Sequence, residues 1–161
     1  MNQNQTASTF DVRATVLRVV PLVFETMLSL PANLAAPDAT LHIERVSGTI
    51  GIAGEPLSGF IYLHFSEELA RHVTVAMLGL DSPDAADNGS VNDVVSELAN
   101  MIGGNFKSAL CDANLPCAMS TPSIIRGQAF DIEMPPGLKS ETFIFSCQGE
   151  HLAVEIHLKL D

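Results

Sequence analysis

The segment His151–Leu160 alternates without a break, with Leu152, Val154, Ile156, Leu158 and Leu160 on one side and His151, Ala153, Glu155, His157 and Lys159 on the other. A period of two is the mark of a strand with one face in a core. Clean alternation points to an antiparallel sheet, because parallel strands are usually buried on both faces and read as apolar throughout. The rest of the chain must therefore supply a layer that covers this apolar face.

Helices are the natural cover. Ser8 with Asp11 makes a capping box for a helix running to about Leu30. Pro21 in its interior removes a backbone hydrogen bond and is expected to kink it into two pieces near Val20. From Thr40 to Phe65 the composition turns to strand: Leu41 with Ile43, then Gly48–Ile52, a turn at Gly54-Glu55-Pro56, and Gly59–Phe65. Ser66 followed by Glu67 and Glu68 opens a second helix, with two acids favourable to its dipole, and Gly79 ends it. Asp81–Gly89 is an acidic loop, after which Ser90 and Asp93 form a capping box for a third helix reaching about Asp112. Strands return at Cys117–Arg126, Glu141–Cys147 and His151–Leu160. The order implies an α+β, two-layer fold with helices on one side of an antiparallel sheet. Residues 1 to 7 are expected to be a polar tail, and 8 to 161 a single domain.

Composition excludes several functions. A formal charge of −11 disfavours binding to phosphate backbones, so nucleic acid is not an expected partner. The apolar run Val16–Leu30 is interrupted by Arg18, Pro21 and Glu25, so it falls short of a membrane span, and the N-terminus lacks a basic secretory leader. Three cysteines without metal-like spacing fit a reducing, cytoplasmic setting, and they read as small buried apolar residues with no basic neighbour. His42, His64, His72, His151 and His157 are scattered over four expected elements and read as surface or satisfied histidines rather than metal ligands. Walker loops, nucleophile elbows, Cys-x-x-Cys and His-Glu-x-x-His are all missing from the sequence.

The third helix carries the informative pattern. At about 100° per residue, Asp93, Glu97, Asn100, Gly104 and Lys107 fall on one stripe, while Val94, Leu98, Ile102 and Ala109 face away. A carboxylate and a carboxamide three residues apart are surface neighbours. Gly104 one turn on costs helix stability of about 1 kcal/mol relative to alanine, which calls for a reason such as the close approach of a partner. Polar faces are also the norm on exposed helices, and Gly103-Gly104 could equally serve tight packing inside the protein.

The run Glu97-Leu-Ala-Asn100-Met-Ile-Gly-Gly-Asn105 resembles the signature helix of the CheC, FliY and CheX chemotaxis phosphatases, with Asp93 upstream and Pro122 downstream in the matching order. That proline falls about one residue short of the family spacing. The resemblance extends to Phe24–Leu28, Val46–Gly54 and Ser66–Glu68, and Glu97 is the only glutamate with asparagine three residues on, as in the single-site CheX branch. It implies a CheC-like fold and a phosphatase acting on the aspartyl phosphate of a CheY-type receiver, working as a homodimer. Asn100 would position the attacking water, and Glu97 would anchor the receiver's lysine. Asp93 would be a rim contact and Gly104 would clear space. No cofactor of the chain's own is implied, because the receiver would supply Mg²⁺. A non-catalytic adaptor of the same fold is the competing reading. A small-ligand sensor is the weaker one, because the sequence offers no buried polar cluster to line a pocket.

Overall fold

The computed structural model describes residues 10–36, 38–39, 44–128 and 130–160. The first helix, α1 (Val12–Leu28), is capped by Asp11, whose side chain accepts from the Ala14 amide at 2.9 Å. Ser8, the other member of the expected capping box, lies outside the described residues. The expected division at Pro21 does not occur: α1 is one helix with the proline inside it. Val19, Val20, Val23 and Phe24, on either side of the proline, are fully buried, and that packing outweighs the missing hydrogen bond.

A two-residue edge strand, β1 (Asn33–Leu34), follows, then β2 (Glu44–Gly54) and β3 (Leu57–Ser66), which pair antiparallel across the Glu55-Pro56 turn. The strand expected at Leu41–Ile43 lies outside the described residues, as does His42. Helix α2 (Glu67–Leu78) begins at Ser66, whose hydroxyl accepts from the Leu69 amide, and ends at Gly79 in the left-handed conformation. A 3₁₀ turn at Pro83–Ala85 interrupts the acidic loop.

Helix α3 (Asn88–Asp112) starts ahead of the Ser90–Asp93 box. Its cap is Asp87, whose carboxylate accepts from the Ser90 amide at 2.8 Å, and this bond holds the Asp87 carboxyl below the usual range. The expected Cys117–Arg126 strand is divided into β4 (Cys117–Met119) and β5 (Ser123–Gln128), with Pro122 in the gap. The sheet is completed by β6 (Lys139–Cys147) and β7 (Glu150–Leu160), joined through Gln148 and Gly149, both at positive φ.

The seven strands run in the order β1-β6-β7-β3-β2-β4, with β5 pairing β2 beside β4, and every pairing is antiparallel. Helices cover one face. Ile50, Ile61, Leu63, Phe65, Phe145, Leu152 and Val154 meet Phe24, Leu69, Leu98 and Phe106 in a continuous core. The α+β, two-layer plan is thus present.

The other face is closed by topology. Since β5 and β6 lie on opposite sides of β2, β3 and β7, the chain linking them crosses the face that lacks helices. Phe130, in that crossing, sits 2.9 Å from where a Cβ on Gly127 would stand and 6.2 Å from the His64 ring centroid. The Arg45 guanidinium covers the Phe130 ring at 4.8 Å and donates to its carbonyl at 3.2 Å.

Candidate functional site

The seat of α3 is built from small residues. A Cβ on Gly48 of β2 would stand 3.0 Å from the Ala99 Cβ, and one on Gly103 would stand 2.6 Å from Ile50 Cδ1 and 3.0 Å from Met119 Sδ. Helix and sheet therefore approach closely along Ala99–Gly103. Val91, Val94, Val95, Leu98, Ile102, Phe106 and Leu110 bury the inner face. The outer face is displayed by default.

On that outer face Asp93, Glu97 and Asn100 are exposed, and Gly104 and Lys107 are half-buried. Among the described residues neither the Glu97 nor the Asn100 side chain has a hydrogen-bond partner. A Cβ at Gly104 would meet nothing within 4 Å. The paired glycines have separate roles: Gly103 admits the sheet, while Gly104 opens outward. Pro122 falls beside β2 at the level of this seat, between the Met119–Ile52 and Ser123–Thr49 pairings.

Arg126 of β5 was not foreseen as a site residue. Its Nε donates to Asn92 Oδ1 at 2.8 Å, and its Nη1 bridges to Glu67 at 3.0 Å and 3.2 Å. Glu67 also pairs with Arg71 at 3.4 Å, and Arg71 donates to the Ala86 carbonyl. The network fixes the first turns of α3, immediately ahead of Asp93, against α2 and the sheet. An isolated arginine in a strand carries no sequence signal for such a role.

The helix-free face holds a second polar group, in a chain across four strands. Ser47 Oγ lies 2.6 Å from His64 Nδ1, and Ser140 Oγ lies 2.6 Å from His157 Nδ1. Glu155 stands between the imidazoles. His157 Nε2 is 3.1 Å from Oε2, a hydrogen bond, while His64 Nε2 is 3.4 Å from Oε1, an ion-pair distance without hydrogen-bond alignment. His64 first, and then His157, pull the Glu155 carboxyl down to about 2, against burial, which acts the other way. Tyr62 stacks on His64 with centroids 5.9 Å apart, and its phenol is pushed up by burial and then by the Glu155 charge. This corrects the expectation that the chain has no buried polar cluster. A cavity of about 630 Å³ on the same face is walled by other residues, among them Phe60, Ala53, Ala118, Pro135, Pro136 and Leu138.

The cysteines also depart from expectation. Cys147 is buried, but Cys111 is exposed and Cys117 half-buried, with Lys107 near enough to act on the Cys117 thiol. Groups of histidine, cysteine and carboxylate able to hold a metal are absent among the described residues.

The family model described as chemotaxis phosphatase CheX matches residues 46–146, which takes in most of β2, the whole of α3 and the strands on either side of that helix in the chain. The chain belongs to the CheX family. A chemotaxis protein CheX from Vibrio vulnificus is 28% identical, covering 91% of this chain and 95% of that one with a TM-score of 0.79. A CheC-like superfamily protein from a Shewanella species is 27% identical over 91% and 96%, with a TM-score of 0.78. A CheX from Borrelia burgdorferi, solved as a CheX–CheY–BeF3–Mg²⁺ complex, shares the fold at 22% identity over 93% and 99%, with a TM-score of 0.73. Among curated proteins nothing matches. Like these CheX relatives the chain has the CheC-like fold, and no helix of its described residues is long and apolar enough to cross a membrane.

Proposed function

We propose that this CheX-family chain hydrolyses the aspartyl phosphate of a CheY-type receiver domain, with Asn100 and Glu97 as its catalytic pair. The observation that carries the reading is the pair itself: two exposed polar side chains, one helical turn apart and without hydrogen-bond partners among the described residues, on a helix whose other face is buried. The Borrelia relative solved with CheY and Mg²⁺ supports a receiver as partner and the receiver as the source of the metal.

An acyl phosphate is already reactive, so the helper's task is chiefly to hold water in line with the phosphorus. The Asn100 carboxamide offers an acceptor for a water proton and two donors, and it brings no charge to repel the phosphoryl oxygens. Water adds to phosphorus, the aspartyl oxygen leaves as carboxylate, and inorganic phosphate is released. Glu97 pairs with the receiver's lysine, a charge-assisted contact strengthened when the interface excludes water. Asp93 contacts the rim, and the open space at Gly104 admits the receiver's surface. The protein works as a cytoplasmic homodimer, which sedimentation of the full chain would test.

The experiment is phosphate release from a panel of phosphorylated receiver domains with wild type and Asn100→Ala. The expected result is acceleration of at least one receiver by wild type, reduced in the variant on the order of a hundredfold, the scale for losing one preorganised hydrogen-bonding group. Receiver binding with no increase in release by wild type would replace catalysis with an adaptor role.

A further inference from the structure

The outer stripe of α3 extends beyond Lys107. Cys111 lies eighteen residues after Asp93, five full turns at about 3.6 residues each, so its exposed thiol ends the same line. The chain then reverses through Asn114, which has positive φ, and returns as β4 beginning at Cys117.

Register brings the two thiols together. Met119 of β4 abuts Gly103, and it shares a strand face with Cys117, two residues away. Two strand residues span about 6.6 Å, equal to about four residues of helix, so Cys117 comes level with Lys107, one turn before Cys111. Helical side chains lean toward the N-terminus, which tips the Cys111 thiol back toward that level. The electrostatics agree. Burial, and after it the adjacent Cys111, push the Cys117 thiol up, while the Lys107 ammonium favours its thiolate.

We propose that Cys111 and Cys117 form a redox modification site that closes into a disulfide by exchange with a low-molecular-weight disulfide. The thiolate of exposed Cys111 attacks one sulfur of the small disulfide, forming a mixed disulfide and expelling one small thiolate. The Cys117 thiolate then attacks Cys111 Sγ, forming the protein disulfide and expelling the second. Two protein thiols lose two electrons and two protons, and one small disulfide becomes two thiols. Closure joins the last turn of α3 to β4. Chemically this site is independent of the proposed phosphatase reaction.

The test incubates the reduced full chain with oxidised glutathione and follows intact mass, free thiols and the digested peptides. The expected product has lost two of its three thiols, retains no glutathione, contains a Cys111–Cys117 linked peptide and keeps Cys147 free. Cys117→Ser stops at a mixed disulfide on Cys111, and Cys111→Ser, at an exposed position that leaves the fold intact, abolishes closure. A wild-type product that stops at the mixed disulfide, or that keeps all three thiols, would overturn the proposal.

Discussion

Two polar groups sit on opposite sides of the sheet, and they are built in opposite ways. Across the helix-free face Ser47, His64, Glu155, His157 and Ser140 partner one another beneath the strap that carries Phe130, through three hydrogen bonds and the ion-pair approach of His64 Nε2 to Glu155. On the outer face of α3 Glu97 and Asn100 are held by a tightly seated helix and bond to nothing among the described residues. A polar group that is already satisfied serves the fold. Polar groups that are rigidly presented and unsatisfied are available to a partner, whose own groups complete them.

This contrast can be broken by substitution. With Asn100 left in place, the largest effect on function is expected from Glu97→Ala, which should cost receiver binding about 1.5–3 kcal/mol, the scale of a hydrogen bond to a charged group. Its thermal midpoint should match wild type; titration calorimetry with a receiver, beside a melting curve, separates the two. Glu155→Ala should do the reverse, lowering stability by about 1–3 kcal/mol through stranded imidazoles, with turnover unchanged in the folded fraction. A receiver-binding defect in that variant would erase the distinction between the two groups.

The adjacent glycines sharpen it further. Gly103→Ala forces a Cβ against Ile50 and Met119 and should destabilise by about 1–3 kcal/mol in urea unfolding. Gly104→Ala meets open space and should stabilise α3 by about 0.5–1 kcal/mol while weakening receiver docking. Loss of stability at Gly104, or unaltered docking, would remove the case for a cleared approach.

Acid titration gives the gentlest probe. Glu155 has a folded pKa of about 2 against an ordinary 4.5, so the folded state binds its proton less readily than the unfolded one. Its contribution is therefore complete above about pH 4.5 and is lost as pH falls toward 2. In Glu155→Gln the slope of stability across that window should be shallower than in wild type, as measured by denaturant unfolding at successive pH values.

Much of this was legible in the residues because the period is local. The alternation of His151–Leu160, the Ser66 cap, the Gly79 stop and the stripe from Asp93 to Lys107 each follow from neighbours a few positions apart. The cap expected at Ser90 falls instead at Asp87, which the residues alone did not single out, because its side chain reaches the Ser90 amide. The Ser47–Glu155 chain was illegible for a different reason. Alternation distinguishes the two faces of a strand but not water from a crossing segment, and only the β5-to-β6 connection turns the polar side of β7 inward. Arg126 likewise acquires its role from α2 and α3, which reach it through the tertiary fold.

The most direct measurement is the maximal rate of phosphate release at saturating phosphorylated receiver for Asn100→Ala beside wild type, with receiver affinity measured on the same samples. If Asn100 positions the water, the rate falls to near the receiver's own autodephosphorylation while affinity stays close to wild type. An unchanged maximal rate in a folded, receiver-binding Asn100→Ala protein would contradict that role.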